Sequence, residues 1–564
     1  MTALLLAVLT GPSTTAAAAG NLPERLQVRI GALADDPRTA GQPVADPWFL
    51  ARFYERRQFT PAWDSPAKLE TLLVSIENST RHGLEPADYH FEPLLELAAA
   101  LREEPSAGLA VELDLLATDA LARLALHLRF GKVDPEQIHP TWNLSRELDG
   151  VTPVTVIRQL LRADDLEAAL EAAAPDTEIY QEMMAFLAAY REIRDRGGWP
   201  RMPGGETLRL DMRSPRVPVL REILEIVGDL PATAGAGPNT GPDWEAVDPE
   251  LFDEALDAAV RRFQRRHGLA VDGAVGRQSV AALNVPVETR IDQLRVNLER
   301  IRWVLRDIEP RFLLVNIARF RVVLIEDRRV TWSTRAVVGR PYRQTPVFKA
   351  RMTYLELNPT WTVPPTILRE DLLPDIRRDP GVLQRRNMSV IDHQGRRVDP
   401  ATIDWSAVTA RTFPYMIRQE PGPDNALGRV KLMYPNPYHV YMHDTPAREL
   451  FTRPARTFSS GCIRIEDPFA LVRILLAGTE WDDEAIQRVL DSGRTRVVNL
   501  PRPISVLTLY GTAVPERGEI HFAADIYHRD GRLLAALDAP FAFSPPAGYD
   551  EALRHDAPDA NDTR

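Results

Sequence analysis

Across residues 47–143 apolar side chains recur at i, i+3 and i+4, most regularly over 113–128. That spacing gathers them on one helical face and predicts packed amphipathic helices. Gly and Pro punctuate the block at 81–90 (RHGLEPADYH) and 130–135 (FGKVDP), where helix ends and turns are expected, with His82 and His90 as cap or turn residues. The helical pattern continues to about Arg196 and stops at the breaker cluster Gly197, Gly198, Trp199, Pro200, a domain boundary. Two further amphipathic stretches, 217–227 and 251–284, flank a polar Gly/Pro-rich piece, 235–242, read as a loop within a second unit. One more helix is predicted over 289–307. The period then changes: 312–318, 321–325 and 438–443 are alternating or β-branched runs, the mark of a β-rich domain. On a strand over 438–443, alternation places His439, Tyr441 and His443 on one face and Val440 and Met442 on the core side.

With 564 residues, one hydrophobic core is not enough, and several folding units are expected. Hydrophobic residues at 44% and charged residues at 26% supply ordinary globular cores. The net charge of −11, without a basic run, excludes a general nucleic-acid binder. Residues 1–20 read as an apolar segment followed by small residues, an export signal lacking its basic start. No later stretch reaches the length of about 18 apolar residues that spans a bilayer. A protein outside the cytoplasm is therefore expected, tethered to the membrane at most until the signal is cleaved.

The chain has a single cysteine, Cys462. A lone cysteine is most often an inert small hydrophobe, but in an exported protein it is either cross-linked or kept as a reactive thiol. Its neighbours favour the thiol. It lies in 458–464 (FSSGCIR), downstream of His443, and a histidine is the usual partner that activates a cysteine nucleophile. Gly461 permits a tight turn whose N–H groups can stabilise an oxyanion. Arg464 adds positive charge, either as an ion pair holding the loop or as a substrate contact. A zinc site at His439 and His443 fails, because the metalloprotease helix needs Glu after the first histidine and this chain has Val440 there. No metal or cofactor is expected.

The pattern H…(S/T)xGC(I/V)R, carried by His443, Ser459, Gly461, Cys462 and Arg464, resembles the YkuD-type L,D-transpeptidases. Further resemblance lies in 338–348 (VGRPYRQTPVF), 358–365 (NPTWTVPP) and 422–428 (GPDNALG). Residues 258–276 and 279–284 resemble the small three-helix peptidoglycan-binding module: Val260, Phe263 and Gln264 share a helical face, and Asp272, Gly273 and Gly276 form a turn. Together the parts are similar to the large YcbB-like members.

The implied fold class is α+β multidomain. It comprises a helical scaffold over 40–200, a peptidoglycan-binding-like module over 205–288 and a β-rich catalytic domain over 308–500. An inserted lid covers 366–420, and a β-rich extension with a polar tail covers 501–564. The resemblance implies peptidoglycan tetrapeptide stems as donor and acceptor. Cys462 would be the nucleophile and His443 the base, oriented by a backbone carbonyl with the Asp444 side chain pointing away. Tyr441, Ser459, Ser460, Gly461, Arg464 and Trp361 would line the substrate site, 3→3 cross-links would be the product, and carbapenems would be the covalent inhibitors. Glycan strands and cell-wall synthases are further partners it allows. L,D-carboxypeptidase activity or lipoprotein attachment would use the same thioester, and a non-catalytic wall-binding scaffold is the alternative outside enzymes.

Overall fold

The helix Ala107–Phe130 is apolar around almost its whole circumference, and such a helix must be wrapped by its neighbours. In the computed structural model, which describes residues 21–144, 146–148, 150–231, 248–304 and 308–554, it is the axis of the N-terminal helical region. The expected export segment, the 235–242 loop and the end of the polar tail lie outside the described residues. Two carboxylates are buried within the axial helix, and both are fully partnered. Asp114 accepts from the N–H groups of Ala62 and Trp63 at 3.0 and 2.9 Å, and Asp119 accepts from His90 at 2.9 Å and Arg123 at 2.6 Å. His82 ends a 3₁₀ turn, with Tyr180 and Glu171 at 2.9 and 3.2 Å from its ring nitrogens. Both histidines are therefore turn residues serving the core.

A second long helix, Val287–Val304, joins the helical region to the rest and buries residues on all faces. Its Glu299 has no exposure and accepts from the Val133 N–H at 2.7 Å, anchoring the 130–135 turn. Gly131, at φ 83°, lies against Glu299 and Trp303 so closely that a Cβ would collide with both. Ahead of this helix, Val217–Ile226, Glu254–Arg266 and Arg277–Leu283 form the three-helix module. Val260, Phe263 and Gln264 are buried as the helical face predicts. Gln264 staples the following turn, donating to Asp272 at 2.9 Å and accepting from the Gly273 N–H at 2.9 Å.

The C-terminal sheet has nine strands: β1 (Arg311–Asn316), β2 (Arg321–Glu326), β3 (Arg329–Gly339), β4 (Phe348–Leu357), β5 (Val430–Met433), β6 (Met442–His443), β7 (Thr457–Ser459), β8 (Ile463–Ile465) and β9 (Arg496–Leu509). Their order is β7-β3-β8-β6-β5-β4-β9-β1-β2, and β2 pairs again with β3. The ring β3-β8-β6-β5-β4-β9-β1-β2 thus closes on itself, which removes free edges. Its interior is packed with Leu313, Phe348, Met352, Leu432, Met442, Ile463 and Val506.

Three expectations are corrected. The 438–443 segment is mostly turn: His439 has φ 54°, and only Met442–His443 pairs as strand, because Asn436 caps the bend by accepting from the Tyr438 and Val440 N–H groups. The boundary at 500 cuts through β9, whose second half, after a break in register between Asn499 and Ile504, carries most of the pairing to β1 and β4. Beyond β9 the chain forms one short hairpin, Ala513–Glu516 with Glu519–Phe522, and two helices, Asp530–Asp538 and Tyr549–Arg554, so it is not mainly β.

The insertion, polar and Arg-rich in sequence, has a core of its own around Leu372, Ile376, Leu383, Val390, Trp405 and Ile417. Strands Trp361–Thr362, Met388–Ile391, Arg397–Val398 and Met416–Gln419 form its sheet. Its two ends are tied together at the root, where Asn425 donates to the Pro359 carbonyl at 3.2 Å.

Candidate active site

Strands β6 and β8 run parallel and adjacent, with His443 opposite Arg464 in the register. Cys462 is the residue just before β8, so one pairing gathers the cysteine, histidine and arginine of the motif. Tyr441 precedes β6, with its ring centroid 5.7 Å from that of His443. Its hydroxyl is close enough to the Cys462 thiol and the Trp361 side chain to interact with both, which places Trp361, at the root of the insertion, near the same cluster.

His443 is buried, and its Nδ1 lies 2.6 Å from the Asp444 carbonyl oxygen. A carbonyl only accepts, so Nδ1 carries the proton and Nε2 the lone pair. Burial, with the Arg464 and Lys431 charges, holds the imidazole pKa down to about 3. The ring is neutral at physiological pH, with its lone pair on Nε2. Burial likewise pushes the Cys462 thiol up, against the opposing pull of Tyr441, Lys431 and Arg464. Its S–H points to the main-chain oxygen of His439 at 3.8 Å. His439 thus contributes its carbonyl, and its exposed side chain is not in the cluster.

The turn before the thiol is held from inside. Ser459, buried, donates to the Cys462 carbonyl at 2.6 Å and accepts from the Gly461 N–H at 3.1 Å. Gly461 has φ 114°, a conformation that favours glycine. Its carbonyl accepts from Thr345 Oγ1 at 2.9 Å, and that hydroxyl in turn accepts from the Gly339 N–H at 2.9 Å. This explains the 338–348 motif as the cradle of the Cys462 turn. Ser460 is exposed, and its hydroxyl accepts from Arg343 at 2.8 Å. Arg464 forms no ion pair among the described residues, its Nε is buried without a hydrogen-bond partner, and its charge acts on the Cys462 thiol.

Lys431, Arg343 and Thr345 are residues that sequence reasoning missed. Lys431 pairs across to His443 in the β5–β6 register and lies 4.5 Å over the Tyr441 ring. Its only signal was its place on a strand whose register the sequence does not fix. Among the described residues, no cluster of three or more His, Cys, Asp or Glu could hold a metal ion.

Residues 310–490 match the family described as "L,D-transpeptidase catalytic domain". The chain carries a YkuD-type catalytic domain. Residues 49–187 of this transpeptidase-domain chain match "Scaffold domain", and 213–283 match "Putative peptidoglycan binding domain". It is 36% identical over 273 residues to a "Putative L,D-transpeptidase" of Haemophilus influenzae, covering 47% of this chain and 54% of that one. It therefore spans about half the length of that curated relative. A stretch of 84 residues, 15% of this chain, is 42% identical to the N-acetylmuramoyl-L-alanine amidase CwlM of Mycobacterium tuberculosis and covers 20% of it. Among solved structures, an L,D-transpeptidase from Xylanimonas cellulosilytica aligns over 54% of this chain and 99% of that one at 15% identity. Its TM-score of 0.17 supports no inference. No described helix is long and apolar enough to cross a membrane.

Proposed function

We propose that this chain is a cysteine L,D-transpeptidase of the cell wall, forming 3→3 cross-links between peptidoglycan stem peptides outside the cytoplasm. The observation that carries the reading is the pairing of β6 with β8, which sets a neutral, carbonyl-oriented imidazole and a guanidinium beside the turn that holds the only thiol of the chain, inside the matched catalytic domain. Cys462 is the nucleophile and His443 the base.

In the first half-reaction the sulfur attacks the carbonyl carbon of the third stem residue. The thiol proton passes to His443 Nε2, and the same proton goes on to the departing amine as the C–N bond breaks and the terminal residue leaves. A thioester remains on Cys462. In the second half, the side-chain amine of another stem attacks the thioester carbonyl, the C–S bond breaks, and His443 carries the amine proton back to sulfur. The Tyr441 hydroxyl, which acts on the thiol, would donate to the oxyanion, and Arg464 and Lys431 favour negative charge there. The Gly461 N–H serves the turn, since it donates to Ser459. Trp361 and Ser460 face the substrate.

The inserted subdomain, rooted at Trp361, is the lid over this cleft. The three-helix module supports binding of wall polymer.

Incubating the protein with a disaccharide-tetrapeptide and weighing the products tests the reading. Dimers cross-linked between third residues, absent with Cys462→Ala, are expected. Tripeptide without dimers would instead indicate a carboxypeptidase, and no product with the intact chain would refute both.

A further inference from the structure

The Arg343 guanidinium touches both the Cys462 turn and the insertion. Its side chain is 9% exposed, while the carboxylates it pairs with on the insertion, Glu370 and Asp371, are 38% and 44% exposed. One Nη sits 2.8 Å from the Ser460 hydroxyl and 2.7 Å from Asp371, and Glu370 meets the other Nη. Ser460 is two residues from the thiol, and the neighbouring Gln344 carbonyl packs on Gly461. The Arg343 Nε is buried with no hydrogen-bond partner. Apart from the Ser460 hydroxyl and the Tyr342 ring, 5.7 Å away, this cation is thus met only by two carboxylates that are themselves nearly half in water. Ion pairs to partners so exposed contribute little and exchange readily.

The proposed reaction brings a carboxylate to this place. Cleavage before the last residue of a stem puts the chain-terminal α-carboxylate one residue beyond the attacked carbonyl, and a guanidinium fork is the side chain suited to hold it. We propose that Arg343 is the specificity-determining residue for the donor's terminal carboxylate, and that this carboxylate and the Glu370–Asp371 pair occupy the guanidinium in turn, so that donor binding frees the insertion from the nucleophile turn. The inference rests on the transpeptidase reading and adds the donor's chain end to it.

The test compares a soluble tetrapeptide stem ending in free D-alanine with the same stem ending in D-alaninamide, following release of the last residue. The wild type is expected to favour the free acid by about tenfold to a hundredfold in kcat/KM, the effect of one charge-assisted hydrogen bond. Arg343→Gln should bring the two substrates within about twofold of each other, and Arg343→Lys should restore part of the preference. Glu370→Gln combined with Asp371→Asn should lower KM for the free acid only. Thermal melts of each variant control for folding, and the acid-to-amide ratio is insensitive to a general loss of active protein. A preference that survives in Arg343→Gln overturns the assignment, and an unchanged KM in the double variant overturns the exchange. Absence of turnover by the wild type on the free acid would instead refute the transpeptidase reading itself.

Discussion

Asp444 gives its main-chain carbonyl to His443 Nδ1, at 2.6 Å, and turns its carboxylate away, to the N–H of Arg429 at 2.9 Å and the guanidinium of Arg448 at 3.1 Å. The group that orients the His443 ring therefore belongs to the backbone, and no side-chain substitution at Asp444 removes it. Asp444→Ala should leave acylation of Cys462 within about tenfold of wild type while lowering Tm, since the Arg429 N–H loses its acceptor. His443→Gln should lose about a hundredfold to ten-thousandfold, the usual weight of general-base catalysis. Equal losses in the two variants would mean that the carboxylate, and not the carbonyl, sets the ring.

With its pKa held down to about 3, His443 stays neutral through the range in which free histidine titrates. The acid limb of kcat/KM should accordingly show no inflection near pH 6.5, and activity should persist to about pH 5. The sign for stability follows from proton counting: below about pH 6.5 the unfolded chain takes up a proton that the native state refuses, so stability falls as pH falls, down to about pH 3. His139, also held at about 3, and His521, at about 4, add to the same trend. Denaturant melts from pH 7 to pH 4 read it directly, and a melting midpoint that rises on acidification would contradict the burial of these rings.

Ser459 and Ser460 are neighbours with opposite environments. Ser459 bridges the Cys462 carbonyl and the Gly461 N–H from inside, whereas Ser460 faces out. Ser459→Ala should lower both acylation and Tm, at a stability cost of about 1–3 kcal/mol for the unmet buried groups. Ser460→Ala should leave Tm unchanged and act on substrate affinity alone. Melts paired with KM values separate the two, and a Tm loss in Ser460→Ala would show that its hydroxyl is structural.

The sequence pattern exposed what local chemistry dictates. Gly131, Gly461 and the helical face of Val260, Phe263 and Gln264 are legible because their backbone conformation or periodicity requires particular residues. That His443 and Cys462 share a site is an expectation from residue types in a motif, and the structure sets strand β6 and the Cys462 turn side by side. Lys431 and Arg343 were not legible, because their proximity comes from the register of β5 on β6 and from the fold of the 338–348 turn, neither of which a residue pattern specifies. The strand expected over 438–443 failed for a related reason: alternation was present, but Asn436 imposes a local hydrogen-bonded turn that outweighs it. The insertion's own core was hidden by its many arginines, which ring its surface while Trp405, Ile376 and Ile417 pack inside.

The state of the thiol at rest separates two kinds of reagent. Burial pushes the Cys462 pKa up and His443 is neutral, so the resting pair is thiol and imidazole, not thiolate and imidazolium. Simple alkylation needs a thiolate already formed, and only a small fraction exists at neutral pH. A β-lactam carbonyl can be attacked while His443 removes the proton in the same event. Iodoacetamide at pH 7 should therefore label the protein more slowly than it labels a small free thiol, and faster as pH rises. A carbapenem should acylate without that pH dependence, giving one adduct per chain that is absent in Cys462→Ser. Intact-protein mass spectrometry over time follows both reactions. Rapid alkylation at pH 7, at or above the rate of a free thiol, would show a preformed thiolate and overturn the neutral-pair mechanism, even with Cys462 still the residue labelled.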